Sequence, residues 1–346
     1  MTRNNDRTHT GTRAAPEPRG AATEYEPCED LCVVAVHYNP CRYESRSKNL
    51  QLFLDSLRRS GLSHVVAECA FGDDAWELPA DPWIRHFRSR DVLWQKERLI
   101  NTVVRSLPRH IQKIAWLDGD ILFCEPDWAR RTSQLLESFP IVQCFSHAAR
   151  LAPGEMAPAP DAQVVESFAA VLRRSPRVHM DGVYDAHGHT GFAWAARREL
   201  VESRGLYDAH VASNGDHLMA HAIVGDVASG CVDQMLCGNP ALTRHFRRWA
   251  TGLYRDVRGR LGCVDGTLLH LWHGSPANRR HGENARDLAA IGFDPVRDLR
   301  PGEDGCWEWA SDHPRLHRWA AEFFARRRED EPEAIDVGPS ATSLST

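Results

Sequence analysis

Between Lys113 and Trp128 the chain reads KIAWLDGDILFCEPDW, and no other stretch limits its fold so tightly. A short apolar run of the kind that forms a buried strand stops at Asp118-Gly119-Asp120, so an aspartate pair stands at a strand's carboxyl end. In open α/β sheets ligands bind at that edge, where strand ends and connecting loops form a crevice. Two carboxylates one residue apart, with a glycine that admits close backbone approach, suit a hard divalent cation that also binds phosphate oxygens. A plain polar turn after a buried strand is the alternative.

The flanking sequence supplies alternating units. Leu31 to Val36 is a β-branched run that ends at His37-Tyr38-Asn39-Pro40, and the proline bars its continuation. From Ser47 to Arg59 the apolar Leu50, Phe53, Leu54 and Leu57 recur at helical spacing, with Gly61 as the stop. His64 to Ala70 and Trp83 to Phe87 read as strands, Gln95 to Leu107 as a helix closed by Pro108, Trp128 to Phe139 as a helix and Ile141 to Phe145 as a strand. This order predicts an α/β fold with a mainly parallel central sheet and helices on both faces.

Residues 151–182, rich in Pro and Ala, read as a mobile insert around a short helix at Ala162 to Arg173. Order returns with a strand at Phe192 to Ala195. A helix then begins at Asp216, with Ser213 or Asn214 as its N-cap. A helical segment spans residues 240–258, and TLLHLWHG is a strand that ends in His273-Gly274. Residues 28–330 are expected to form one domain, with a nucleotide-binding half at 28–147 and an acceptor and catalytic half at 148–330. Residues 1–27 and 331–346 have the composition of a disordered leader and tail.

Composition narrows the function. A chain of 346 residues with 42% hydrophobic content can bury a real core, and a net charge of -5 gives no global attraction to nucleic acid or anionic lipid. The 10 cysteines contain no C-x-x-C pair and mostly have apolar neighbours, which reads as reduced core residues. No apolar stretch reaches the roughly 18 residues of a membrane span, and no signal-peptide core is evident. A soluble cytoplasmic protein is the expectation.

Strand, HYNP, early helix, WQKERLIN, a strand ending in LDGD, a GHTGFAW loop, an NGD helix start and a late HLWHG occur in one order. Together they resemble a GT-A glycosyltransferase over roughly Leu31 to Asp330. The likeness is to bacterial glycosyltransferase-like proteins with a late galactosyltransferase-type region. It implies the nucleotide-diphospho-sugar transferase fold and a nucleoside-diphosphate sugar as donor, a UDP-sugar in the first place. The acceptor would be a carbohydrate or another hydroxyl compound.

By that resemblance Asp118 and Asp120 hold Mn²⁺ or Mg²⁺, Asp120 more directly, and His273 completes the set. Carboxylates with one imidazole favour Mn²⁺. His37, Tyr38 and Asn39 would meet the nucleoside, Glu68 the base or ribose, and Lys96 and Asn101 phosphate and ribose. Asp216 would be the general base of an inverting transfer. His217 follows it where the family often has a second carboxylate. Thr190, Gly191 and Phe192 would form the acceptor or donor-sugar platform, and Arg279 and Arg280 would cover the diphosphate.

Each role has a plainer alternative. Lys96 and Asn101 lie on a helix that needs polar residues anyway, His273 can be a partly buried histidine, Glu68 a polar strand end, and Asp216 a charge at a helix N-terminus. Two rival functions remain. His187, His189, His217 and His221 include an i, i+4 pair, H-L-M-A-H, that could bind zinc in a metal-dependent hydrolase. The water-activating glutamate is missing, however, because Leu218 follows His217. The other rival is a non-catalytic nucleotide-sugar binder of the same fold.

Overall fold

The computed structural model describes residues 28–175 and 186–331. The expected disordered leader, the tail beyond Glu331 and residues 176–185 of the insert lie outside the described residues.

The chain runs through β1 (Leu31–His37), α1 (Glu44–Arg59), β2 (His64–Phe71), β3 (Ile84–Ser89), α2 (Lys96–Val104) and β4 (Lys113–Leu117). It continues with β5 (Ile121–Phe123), α3 (Trp128–Ser138), β6 (Ile141–Gln143), β7 (His147–Arg150), β8 (Val164–Glu166) and α4 (Phe168–Arg174). Then come β9 (Ala193–Arg197), α5 (Arg198–Arg204), α6 (Gly215–Ile223), α7 (Gly230–Leu236), α8 (Pro240–Val257), β10 (Leu261–Cys263) and β11 (Thr267–His270). Helices α9 (His281–Ile291), α10 (Pro295–Asp298) and α11 (Pro314–Ala325) follow, with a hairpin of β12 (Leu299–Pro301) and β13 (Trp307–Trp309) before α11.

Seven strands form the central sheet in the order β10-β6-β9-β4-β1-β2-β3. The β4-β1-β2-β3 run is parallel, as is β6 with β10, while β9 is antiparallel to both neighbours. The fold is therefore the expected α/β one with a mainly parallel sheet. Side chains of β1 and β4 alternate between its faces, the period of an extended chain. Val34, Ile114 and Trp116 meet Leu99, Ile100, Val103 and Val104 of α2 on one face. Val33, Ala35, Ala115 and Leu117 meet Leu50, Phe53, Leu54 and Leu57 of α1 and Leu136 of α3 on the other. Because β9 lies between β4 and β6, the two expected halves share one sheet.

A second sheet, in the order β5-β11-β7-β8, stands at the carboxyl end of β4. It corrects the expected helix at Ala162 to Arg173: Val164–Glu166 is a strand paired with β7, and the helix begins only at Phe168. The Ser167 hydroxyl accepts from the Ala170 N–H and caps it there, a start signal inside the Ala-rich run. Helix α6 begins at Gly215, one residue before the expected Asp216, with Asn214 in the cap position, although the Asn214 side chain makes no cap hydrogen bond.

All described cysteines are free thiols, and Cys32, Cys69, Cys144, Cys231, Cys263 and Cys306 are buried. Among the described residues no helix is long and apolar enough to cross a membrane.

Candidate active site

The aspartate pair sits where β4 ends. The Asp118 N–H donates to the Phe192 carbonyl (2.9 Å), and a Cβ at Gly119 would stand 3.1 Å from Leu50 Cδ1, so the turn lies tightly on α1. The pair opens onto a cavity of about 860 Å³, within the range of small-molecule sites. The two carboxylates turn to different partners.

Asp120 faces two histidines. Strand β11 runs antiparallel to β5 with His270 opposite Ile121, and the Leu271 N–H donates to the Asp120 carbonyl (2.8 Å). That register brings His273 Nε2 to 3.1 Å from Asp120 Oδ2, and His270 Nε2 to 3.9 Å from Oδ1 and 2.7 Å from His273 Nε2. The three groups form one potential ligand set. The set fits a divalent cation: one carboxylate and two imidazole nitrogens converge, and Asp120 Oδ1 is buried without a hydrogen-bond partner. Burial, with Arg150 nearby, holds His270 well below the usual imidazole range, so its nitrogen is a neutral donor. His270 escaped the sequence reading, although T-L-L-H-L-W-H displays both histidines three residues apart.

Asp118 turns instead to Lys96. Its Oδ1 lies 2.6 Å from Lys96 Nζ, which is also 2.7 Å from Asp216 Oδ2. Lys96 thus bridges the end of β4 and the start of α6 rather than standing open for phosphate. Burial works against its charge, but Asp118 and Asp216 outweigh it and hold the ammonium well above its ordinary range. Burial likewise pushes Asp118 up to about 6, against the pull of Lys96. Glu97, buried behind them and accepting from Trp94 Nε1 (2.8 Å), is pushed up to about 8 by burial and by Asp216.

Cations line the wall beside Asp120. Arg279 donates to the His273 carbonyl (2.7 Å) and to Glu329 Oε1 (2.8 Å), and Glu329 also accepts from Arg46 Nε (2.6 Å) and Arg327 Nε (2.6 Å). Arg46, Arg279 and Arg327 all border the cavity. The H-G turn makes this convergence possible: Gly274 has φ +90°, and a Cβ there would stand 2.9 Å from Glu329 Cα. Arg280, expected beside Arg279 on the diphosphate, is outside the cavity lining and caps α9 in a left-handed conformation.

The remaining expected residues divide. Tyr38 borders the cavity but is 4% exposed, wedged edge-on against Trp94 at 5.6 Å and Phe324 at 5.9 Å. Thr190, Gly191 and Phe192 also line it, yet the Phe192 face is covered by His189, stacked at 3.9 Å and nearly parallel. That face of the Phe192 ring is therefore taken by an imidazole. Asn101 lies elsewhere, exchanging hydrogen bonds with the Leu206 backbone (3.0 and 2.7 Å). It ties α2 to the segment after α5.

His37, Asn39 and Glu68 lie outside the large cavity. His37 Nε2 is 2.9 Å from Glu77 Oε2, which also accepts from Ser47 Oγ (2.7 Å) and Asn39 Nδ2 (3.3 Å). Glu68 accepts from the Leu78 N–H (3.1 Å) and that of Glu77. The loop after β2 has claimed these groups, and nothing in the local sequence announces that pairing.

Burial opposes ionisation of Glu77, but the bonds from His37, Ser47 and Asn39 prevail and bring it from 4.5 down to about 2. A carboxylate depressed by folding stabilises above its unfolded pKa and loses that contribution as pH falls through the folded one. Glu77→Gln is therefore expected to flatten the loss of stability between about pH 4.5 and 2, read from urea midpoints against pH. An unchanged acid limb would remove Glu77 from it.

No family model and no curated protein sequence matches the chain. Among solved structures it is similar to a Drosophila β1,4-galactosyltransferase 7 variant in complex with manganese, UDP-Gal and xylobiose, at 12% identity and TM-score 0.39 over 84% of this chain and 98% of that one. It is also similar to glucosyl-3-phosphoglycerate synthase from Mycobacterium tuberculosis in complex with Mn²⁺, UDP and phosphoglyceric acid, at 12% and 0.34 over 82% and 87%. A third is 4-diphosphocytidyl-2C-methyl-D-erythritol synthase from Anaerococcus prevotii, at 14% and 0.35 over 69% and 87%. At such identities the similarity is one of fold alone.

Proposed function

We propose that the cavity binds a nucleoside-diphosphate sugar, a UDP-sugar in the first place, and transfers its sugar with inversion to a hydroxyl acceptor. The observation that carries this reading is the convergence of Asp120, His270 and His273 beside the Arg46, Arg279 and Arg327 wall. Arginine forks suit a diphosphate, and the carboxylate and imidazole set suits Mn²⁺ over Mg²⁺. A bound divalent ion supplies Lewis-acid neutralisation of the charge that develops on the departing nucleoside diphosphate.

Asp216 is the general base. On the first turn of α6, its carboxylate would take the acceptor proton as the hydroxyl oxygen attacks the anomeric carbon and the diphosphate leaves. Lys96 Nζ sits against the Asp216 carboxylate, so accepting that proton requires Lys96 to lean on Asp118 alone. Asp216→Asn is expected to leave donor binding intact and cut turnover by at least about 10²-fold. Full activity in that variant would remove Asp216 from the mechanism.

The same ion pair favours one second reading, a nucleotide-sugar binder without turnover, because Lys96 occupies the carboxylate oxygen that a general base would use. A thermal-shift screen of nucleoside diphosphates and their sugars, each with and without Mn²⁺, tests donor binding. A shift that needs both one nucleotide and Mn²⁺ supports the site. Donor binding with no release of nucleoside diphosphate across an acceptor library would favour the binder, and no shift with any nucleotide would sink both readings.

A further inference from the structure

A second group of metal-ligating side chains runs from the cavity wall, where His217 stands, into the core behind it. His187, His217, His221 and Cys231 are all buried, and one potential ligand atom from each falls within 4.8 Å of the others. They come from three places: His187 from the loop that leads to β9, His217 and His221 from successive turns of α6, and Cys231 from the first turn of α7. The imidazole rings lie 4.5 to 5.3 Å apart, centre to centre.

Hydrogen bonds on the outer sides set two of the tautomers. His221 Nδ1 lies 2.7 Å from Asp226 Oδ2, which places its proton outward, and its Nε2 is buried with no hydrogen-bond partner. The outer carboxylate is held in turn, since Asp226 Oδ1 accepts from the N–H groups of Ala228 (3.2 Å) and Ser229 (3.0 Å). His187 Nδ1 is 2.9 Å from the Gly188 carbonyl, so its lone pair also sits on Nε2. A carboxylate or carbonyl behind an imidazole is the arrangement that orients metal-bound histidines and raises their basicity.

The geometry points to a closed, tetrahedral His₃Cys site for Zn²⁺. Zinc binds imidazole at about 2.0 Å and thiolate at about 2.3 Å, which separates ligand atoms by about 3.3–3.6 Å, so the ion would draw this set slightly inward. Binding releases the Cys231 thiol proton to solvent and leaves a thiolate on the metal. Four protein ligands leave no position for water, and Leu218 stands where a helix-borne glutamate base would follow His217. The ion is thus structural, and the hydrolase suggested by H-L-M-A-H has no open coordination position. Cys231 completes a set that the sequence pattern showed only in part.

The position explains what such an ion would do. His217 follows Asp216 directly, and His187 precedes the Gly188 to Phe192 segment that lines the cavity. Zinc would clamp that segment to α6 and α7 and so fix the cavity's far wall. This inference does not depend on the transferase reading.

Full-length protein purified without chelator, freed of loose metal by gel filtration, is measured by mass spectrometry of its metals. One zinc per chain is expected in the wild type and in Asp120→Ala, little or none in Cys231→Ser and His221→Gln, and about 10- to 100-fold weaker retention in Asp226→Asn. Wild type reconstituted with Co²⁺ should show a thiolate-to-cobalt charge-transfer band. That spectrum decides the matter even if a variant fails to fold. Wild type that holds no zinc and gives no such band overturns the site, and so does full zinc retention by both Cys231→Ser and His221→Gln.

Discussion

Asp120→Ala is expected to abolish manganese-dependent binding of a nucleoside diphosphate while leaving the fold in place. Asp120 is the only carboxylate in the ligand set with His270 and His273, so its loss leaves two imidazoles and no anionic ligand. Losing an outer-shell partner weakens metal by 10–100-fold, so loss of the ligand itself should cost at least about 10²-fold. If Lewis-acid assistance supplies several kcal/mol to the transition state, turnover falls by about 10³-fold or more. Nucleotide can still meet Arg46, Arg279 and Arg327 through charge alone, so the discriminating readout is the manganese dependence of the thermal shift, not the shift itself.

The metal-free variant should melt no lower than the wild type. Burial pushes the Asp120 pKa up against Arg279 and Arg46, so its ionised form is a strain on the folded state. An unchanged manganese-dependent shift in Asp120→Ala would take the metal away from this centre.

The sequence carried the fold because strand and helix periods are local. Leu50, Phe53, Leu54 and Leu57 announce α1, and the apolar run before Asp118 announces β4, without knowledge of any distant residue. The departure at Val164–Glu166 is also local, since a β-branched pair beside an Ala-containing run fits a helical pattern as well as a strand. The site was less legible. Asp120 and His273 could be singled out as chemical types, but His270 becomes a neighbour of Asp120 only through the antiparallel register of β11 with β5. Lys96 resembles a phosphate ligand until Asp118 and Asp216 close on it from two other elements. His37, Asn39 and Glu68 looked like a nucleoside loop because nothing near them in sequence reveals that Glu77 and its neighbours occupy their hydrogen bonds.

Arg46 shows the same limit at its greatest span, because its buried partner lies 283 residues away in Glu329. Glu329 is 1% exposed, and its two oxygens serve Arg46, Arg279 and Arg327. Glu329→Gln keeps the shape of the side chain and removes the charge, which leaves three guanidinium groups without their shared carboxylate. Breaking a buried pair from one side costs about 3–5 kcal/mol, and that loss is expected here in urea unfolding at pH 7. Burial opposes ionisation of Glu329, yet the three arginines hold its pKa far below the ordinary 4.5. A group depressed in this way stabilises fully above its unfolded pKa and loses its contribution as pH falls below it. The difference between wild type and variant should therefore be largest near neutrality and shrink on acidification below about pH 4.5. A loss under about 1 kcal/mol, the worth of an exposed pair, would mean that solvent screens the cluster and that the arginine wall is held by packing instead.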